Sequence, residues 1–452
     1  MKRLVILYSV LMSIFMSCTM ETITPLNDAT STNEMTSHTI PVETALENLE
    51  QFLKQGNAPD TRSVSYEFNN VLTIMSNPYQ TKSQALNEPL LYAVNFEDDG
   101  YAILAADSRL SHDIIAITDA GEISITDFEP YSNYVVGEDD DILEEQYNEM
   151  SSAGYVGAIA QNQMIATICK EYAMNEVLLV DDGSGHSGGG SSSGGSSGGG
   201  STSTTYSWQI VDSEKYKLST LWNQREPFNN LCPDVGLFNR ERAPAGCVPI
   251  AVGQIVAYHE YPNLTCNNIR IDYEEIKSIK DTNNFSSIGS AAAQLMAEYF
   301  IYNISGVGMC NVIYGKIFNK SFGFALPTSA RNCLELLGYK NVSLKWSYNE
   351  SDVIKAIDND CPVFISAIAG LVSGHAWVID GYIKRNYVSS SGIVSKSQYL
   401  VHCNWGWNGQ NNGYFASGVF KTKSPVISDN WNVNGMDENY WYAFNTITYD
   451  KP

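Results

Sequence analysis

The sequence lacks several features that would place it in a common class of protein. Its nine cysteines include no CxxC pair, which argues against a zinc ribbon or a thioredoxin-type redox site. It has 27 Lys and Arg against 50 Asp and Glu, a formal net charge of -23. Because no basic patch is available to neutralise phosphates, we expect no nucleic-acid partner.

The apolar run at the amino terminus is too short to span a bilayer. Met1-Lys2-Arg3 precede apolar residues 4–16, and Ser17 and Cys18 follow. This pattern is typical of a secretory signal over residues 1–18, and it predicts export. Cys18 after a small residue resembles the bacterial lipoprotein signal, which implies a lipid on Cys18 and an outer-membrane or cell-surface location. Simple secretion is the alternative.

Composition divides the rest of the chain. Residues 19–40 are rich in Thr, Ser and Asn and predict a flexible stalk. Residues 183–205 are Gly, Ser and Thr apart from one His, and predict a linker that a protease can cut. Two folded domains are therefore expected, over residues 41–182 and 206–452, each of ordinary domain size.

The first domain has the pattern of a small α+β fold. Residues 42–53 place apolar side chains on one helical face. Strand-like runs follow at residues 90–96, 100–106 and 114–118, with an Asp-Asp-Gly turn signal between the first two. We find no pairing of a nucleophile with a base in this domain.

The second domain changes pattern halfway. Its first half reads mostly as helix, and its second half as strands near residues 363–367, 376–380, 399–404 and 440–444. Helices followed by strands predict an α+β fold, with a cleft between the helical half and the antiparallel sheet.

Cys247 is the candidate nucleophile. It lies in Pro-Ala-Gly-Cys-Val-Pro, and the helical pattern continues from there to His259. Since Pro249 is tolerated only in a first turn, the sequence places Cys247 at the helix amino terminus. Free backbone N–H groups there favour the thiolate and can help to hold an oxyanion.

A base must come from the three histidines of this domain. His259 is twelve residues along the same helix, about 18 Å from Cys247 at 1.5 Å per residue, and is too far. His375, at a Ser-Gly to strand junction, is the leading base, and His402 is its rival. Asp380 falls on the wrong face of its strand to orient His375, so the better orienting group is Asn404.

Four motifs carry a resemblance to a known family, in the order Trp222-Asn223-Gln224, Gly246-Cys247-Val248, Gly374-His375-Ala376-Trp377 and Asn404-Trp405-Gly406-Trp407. Together they are similar to the streptopain family of bacterial cysteine proteases, within the papain-like superfamily. The first domain resembles the propeptide of that family through Tyr92-Ala93-Val94-Asn95 and residues 100–107.

The resemblance implies a role for each site residue. Cys247 would be the nucleophile, His375 the base and Gln224 the side-chain donor of the oxyanion hole. In streptopain-like enzymes the third position is less settled than in papain, so Trp405 shares the expected orienting role with Asn404. A histidine at the position of His402 is common there without being catalytic. No metal or organic cofactor is implied.

The sequence therefore predicts the zymogen of a cysteine endopeptidase that cleaves proteins or peptides. Its own propeptide is the expected intramolecular inhibitor. Two alternatives remain open: a cell-wall peptidase or transglutaminase with a related Cys-His pair, and an inactive binding protein on a protease scaffold.

Overall fold

The computed structural model describes residues 38–55, 68–76, 88–128, 155–181, 206–236, 241–280, 289–317, 320–369, 373–421 and 442–452. The predicted signal, Cys18, nearly all of the stalk and the linker lie outside these ranges. Among the described residues, no helix is both long and apolar enough to cross a membrane.

The first part of the chain pairs two helices with four strands. Helix α1 (Val42–Lys54) buries Ala45, Leu49, Phe52 and Leu53, the face expected from their spacing. Strands β1 (Phe68–Met75), β2 (Pro89–Phe96), β3 (Tyr101–Ala105) and β4 (Ile114–Thr118) form an antiparallel meander. Helix α2 (Tyr155–Asp181) follows, an element that the sequence analysis missed.

The helices of the second part gather mainly in its first half. They are α3 (Cys247–His259), α4 (Tyr273–Lys277), α5 (Ala291–Ser305), α6 (Pro327–Leu336) and α7 (Glu350–Asp358). Helix α3 is buried over most of its length, because its side chains are apolar or small on every face.

Strands run through both halves of the second part. They are β5 (Tyr206–Glu214), β6 (Thr265–Cys266), β7 (Ile269–Arg270), β8 (Ile313–Ile317), β9 (Lys320–Phe324), β10 (Lys340–Lys345), β11 (Val363–Ala369), β12 (Ser373–Ser389), β13 (Val394–Asn404), β14 (Gly413–Ala416) and β15 (Tyr442–Asp450). The predicted α+β class, helices beside an antiparallel sheet, is confirmed.

One sheet joins the two parts, which the sequence analysis did not foresee. Its order is β1-β2-β3-β4-β14-β13-β12-β11-β15-β10, and β5 pairs with β12 off this path. Strand β4 pairs antiparallel with β14, placing Gly413 opposite Thr118 and Phe415 opposite Ala116. A Cβ on Gly413 would lie 2.2 Å from the Ile117 carbonyl oxygen, so only glycine allows this approach.

Side chains reinforce this junction. The buried Arg385 of β12 forms an ion pair with Asp113, just before β4, and donates to Gln398 at 2.9 Å. Its guanidinium also lies 4.6 Å from the ring centroid of Trp208. Gln55, directly after α1, donates to the Trp208 carbonyl and accepts from the Ile210 N–H. The first part is thus joined to the sheet of the second part by strand pairing, by side-chain hydrogen bonds and by an ion pair.

Candidate active site

Cys247 is the first residue of α3, as the sequence predicts. Gly246 before it has φ +99°, a conformation that favours glycine. A Cβ on Gly246 would also lie 3.2 Å from the carbonyl oxygen of Gly323 on β9. Glycine at position 246 is thus a geometric requirement for turning the chain into α3 beside the β8–β9 hairpin.

The ionisation of the Cys247 thiol is set by opposing effects. Burial, the largest, raises its pKa, while the backbone N–H groups of Ala376, Val248 and Cys247 itself lower it. The net result is a pKa above the ordinary value. The helix terminus lowers the pKa as the sequence analysis expects, but desolvation opposes this preference for the thiolate and is the larger effect.

His375 belongs to β12, and the next residue along that strand contacts Cys247. The Ala376 N–H is one of the groups that hydrogen-bond to the thiol. The Nε2 of His375 lies 2.8 Å from the backbone carbonyl oxygen of Trp405. Because a carbonyl only accepts, Nε2 carries the proton in the neutral ring, and Nδ1 is left with the lone pair a base needs.

Three indoles surround the imidazole and account for its desolvation. The ring of His375 stacks on Trp407 at 4.6 Å between centroids, with Trp377 and Trp405 at 6.0 and 6.3 Å. Burial lowers the pKa of His375 to about 4, against the Trp405 carbonyl, which raises it. Burial therefore favours the neutral form of both Cys247 and His375.

Asn404 contacts backbone atoms around the site. Its Nδ2 donates to the Thr220 carbonyl at 2.8 Å, and its Oδ1 accepts from the Gly406 N–H at 3.2 Å. The hydroxyl of Thr220 in turn donates to Gln254 of α3 at 2.7 Å. Asn404 thus joins the end of β13 to the segment before Gln224 and to the helix of Cys247.

Gln224 is brought to the same place by its main chain. Its carbonyl accepts from the Ala245 N–H at 2.9 Å, two residues before Cys247, and the residue is half-buried. The segment that carries it is anchored upstream, where Asp380 accepts from the N–H groups of Lys217 and Leu218.

The other two histidines have structural partners. His259 lies 3.1 Å from the Tyr449 hydroxyl, and burial lowers its pKa to about 4. Buried His402 contacts Asp380 through Nδ1 at 2.6 Å and stacks on Tyr216. Both fit the expectation of histidines that pack or pair within the domain.

Sequence reasoning missed two contributors. A backbone carbonyl, that of Trp405, holds His375, and such an atom leaves no residue-type signal. The second is Asn412, whose Oδ1 accepts from the Trp405 N–H at 3.0 Å. Asparagine is common in turns, so the residue type of Asn412 gave no signal of this contact.

Neither a disulfide nor a metal site is found among the described residues. The eight cysteines within the described ranges are all free thiols. In the same ranges, no group of three or more His, Cys, Asp or Glu side chains is placed to hold a metal ion.

Comparison with known protein families finds two matches in this chain. The sequence model of the Peptidase C10 family matches residues 222–415, and that of the Spi protease inhibitor matches residues 37–135. Streptopain of Streptococcus pyogenes serotype M28 is 25% identical over 237 residues, covering 43% of this chain and 52% of streptopain. The chain thus spans about half the length of the streptopains it matches.

Two further relatives were found. The thiol protease/hemagglutinin PrtT of Porphyromonas gingivalis is 26% identical over 214 residues, covering 43% of this chain and 22% of that protein. A solved fragment of Prevotella intermedia prointerpain A aligns with a TM-score of 0.48 at 16% identity, covering 85% of this chain and all of the fragment. On the two family matches, residues 222–415 match the streptopain-like peptidase C10 family of cysteine endopeptidases, and residues 37–135, ahead of them, match the Spi protease inhibitor.

Proposed function

We propose that the chain is the precursor of an exported, papain-like cysteine endopeptidase that acts on proteins or peptides. The observation that carries the proposal is the arrangement of Cys247 at the start of α3, under the Ala376 N–H, beside an imidazole whose tautomer the Trp405 carbonyl fixes. It supplies a nucleophile at a helix amino terminus and, on the strand that contacts it, a base whose tautomer is fixed.

In the proposed reaction, Nδ1 of His375 takes the Cys247 proton and the thiolate attacks the peptide carbonyl carbon. The Cys247 N–H and the Gln224 side chain stabilise the oxyanion. His375 returns the proton to the leaving amine, and water hydrolyses the thioester, releasing the acid and restoring the thiol. Asn404 and Trp405 act as positioning residues for the imidazole.

The first domain, residues 41–182 in this proposal, holds the peptidase domain in an unreactive state. Support comes from the shared β4–β14 ladder and the Asp113–Arg385 ion pair. Cleavage within residues 183–205 would free the peptidase domain, residues 206–452.

The test is incubation of purified residues 19–452, wild type beside Cys247→Ala, followed by gel analysis, N-terminal sequencing and a casein assay. Conversion and casein digestion by the wild type alone are expected. If both proteins convert and both digest casein, Cys247 is not the nucleophile. If both stay whole, brief trypsin treatment and a second assay show whether an external protease is needed; continued inactivity would contradict the proposal.

Export and anchoring are part of the proposal and need their own experiment. We propose a signal over residues 1–18 and a lipid on Cys18, on the pattern at the amino terminus. Labelling cells with a palmitate analogue should mark the wild type and leave Cys18→Ala unmarked but still exported. Equal labelling of both would exclude the anchor.

A further inference from the structure

The two peptide groups that flank Trp405 are each held by an asparagine side chain. The first contains the Trp405 N–H, which donates to Asn412 Oδ1 at 3.0 Å. The second contains the Trp405 carbonyl and the Gly406 N–H, and that N–H donates to Asn404 Oδ1 at 3.2 Å. The same second group receives the His375 ring at 2.8 Å.

This arrangement places the base at the end of a short chain of hydrogen bonds. The direction of the Trp405 carbonyl depends on the planes of both peptide groups, because each plane moves as a rigid unit. Asn404 fixes one plane and Asn412 fixes the other. We infer that Asn412 is a positioning residue for His375, acting through the backbone of Trp405; this deepens the proposed function and rests on it.

The hydrogen bond from the Trp405 N–H to Asn412 Oδ1 is buried. Asn412 is 7% exposed and Trp405 is 1% exposed, so water is not available to replace a lost acceptor. Without Oδ1, the Trp405 N–H is left buried and unsatisfied, and the peptide group is free to tilt. A misplacement of the base by about 1 Å is enough to cost up to about a hundredfold in rate.

Three variants test the hydrogen bond between the Trp405 N–H and Asn412. The Trp405 N–H needs only an acceptor, so Asn412→Asp retains the interaction, while Asn412→Ala removes it. Asn411→Ala is the control, because Asn411 lies in the same turn and its side chain donates to Asn162 instead of contacting Trp405. Its φ of +61° strains alanine, so this variant tests a disturbance of the turn at least as severely as Asn412→Ala does. A residue that merely shapes the turn would make the two alanine variants equal.

The kinetic experiment uses the processed form obtained from the full chain, with a peptide substrate. Asn412→Ala should lower kcat by about tenfold with KM within about twofold, and Asn412→Asp should recover most of the loss. Asn411→Ala should keep kcat within about twofold. An Asp variant as slow as the Ala variant, or equal losses for Asn411→Ala and Asn412→Ala, would overturn the inference.

A second readout separates this inference from the proposed activity. In the full chain carrying Cys247→Ala, the Nε2–H of His375 can be observed by ¹⁵N-edited NMR. Its exchange with water should be about tenfold faster in Asn412→Ala than in Asn411→Ala. Unchanged exchange would refute the positioning role, whereas an inactive wild type with this exchange difference would refute only the proposed function.

Discussion

Gly413 of the peptidase domain lies against Ile117 of the first domain, closely enough that a Cβ would stand 2.2 Å from the Ile117 carbonyl oxygen. The φ of Gly413 is +158°, a conformation that L side chains rarely adopt. Glycine is therefore needed at this position both because strand β4 lies so close and because another residue would strain the backbone.

Gly413→Ala should loosen the precursor and spare the processed enzyme. The added methyl must push β4 away from β14, so linker cleavage in the wild-type Cys247 background should proceed several-fold faster. Casein activity after processing should stay close to that of the wild type. Processing is followed on gels over time.

Gly392→Ala is the control for that experiment, because a Cβ there meets no atom within 4 Å although its φ of +84° brings strain. If Gly392→Ala accelerates processing as much as Gly413→Ala, the contact with Ile117 is not what holds the domains together.

Asp113→Asn should destabilise the precursor more than a surface charge change does. It leaves Arg385, whose side chain is 1% exposed, as an uncompensated buried charge. A loss of about 3 kcal/mol in the free energy of unfolding is expected. Urea denaturation of the Cys247→Ala protein measures it.

Asp352→Asn provides the matched comparison, since it breaks the exposed ion pair with Lys345. That change should cost less than about 1 kcal/mol. Equal losses from the two substitutions would show that the buried Asp113–Arg385 pair stabilises the precursor no more than the exposed pair does.

Alkylation of Cys247 should report the neutral state of the precursor. Because burial raises the pKa of the thiol, the thiolate fraction, and with it the rate with iodoacetamide, should rise about tenfold per pH unit between pH 6 and 8. Cys247→Ser corrects for the other thiols. A fast rate that is flat from pH 5 upward would indicate a thiolate–imidazolium pair and contradict this prediction.

His112 should make the precursor acid-sensitive. Burial lowers its pKa to about 3, helped by the positive charges of Arg385, Lys421 and Lys396. The unfolded chain takes up this proton near pH 6.5 and the folded chain does not. The stability contributed by neutral His112 is therefore complete above pH 6.5 and is lost as the pH falls from 6.5 toward 3.

The measurement is the unfolding midpoint of wild type and His112→Gln, in the Cys247→Ala background, between pH 8 and pH 4. The glutamine side chain can still accept from the Tyr172 hydroxyl, which lies 2.7 Å from His112 Nδ1. The variant should lose less stability on acidification. Parallel curves would exclude His112 as a source of the acid sensitivity.

Local patterns in the sequence predicted the elements that form from neighbouring residues. The helix from Cys247 to His259, the buried face of α1 and strand β4 were all located correctly, because periodicity and proline placement act within a few residues. Nothing local distinguishes β4 as the partner of β14, nearly 300 residues away, since sheet order is set by long-range packing.

The features of the site likewise divide into those that the sequence predicts and those that only the folded structure reveals. Cys247, His375 and Asn404 were selected by residue type and position, and Gln224 by the family resemblance; these residues lie around the start of α3 and the end of β13. The pKa of Cys247 was misjudged because the helix terminus is visible in sequence while desolvation by distant segments is not. The contact of His375 with a carbonyl was equally invisible.

The pairing of β5 with β12 bears on how precisely the precursor must be cut. Eight residue pairs, from Tyr206 opposite Ser389 to Glu214 opposite Tyr382, fasten the beginning of the peptidase domain to its longest strand. Cleavage at any bond before Tyr206 leaves that ladder whole. In the proposed processing, the amino terminus of the mature form can therefore vary by several residues without loss of this strand pairing.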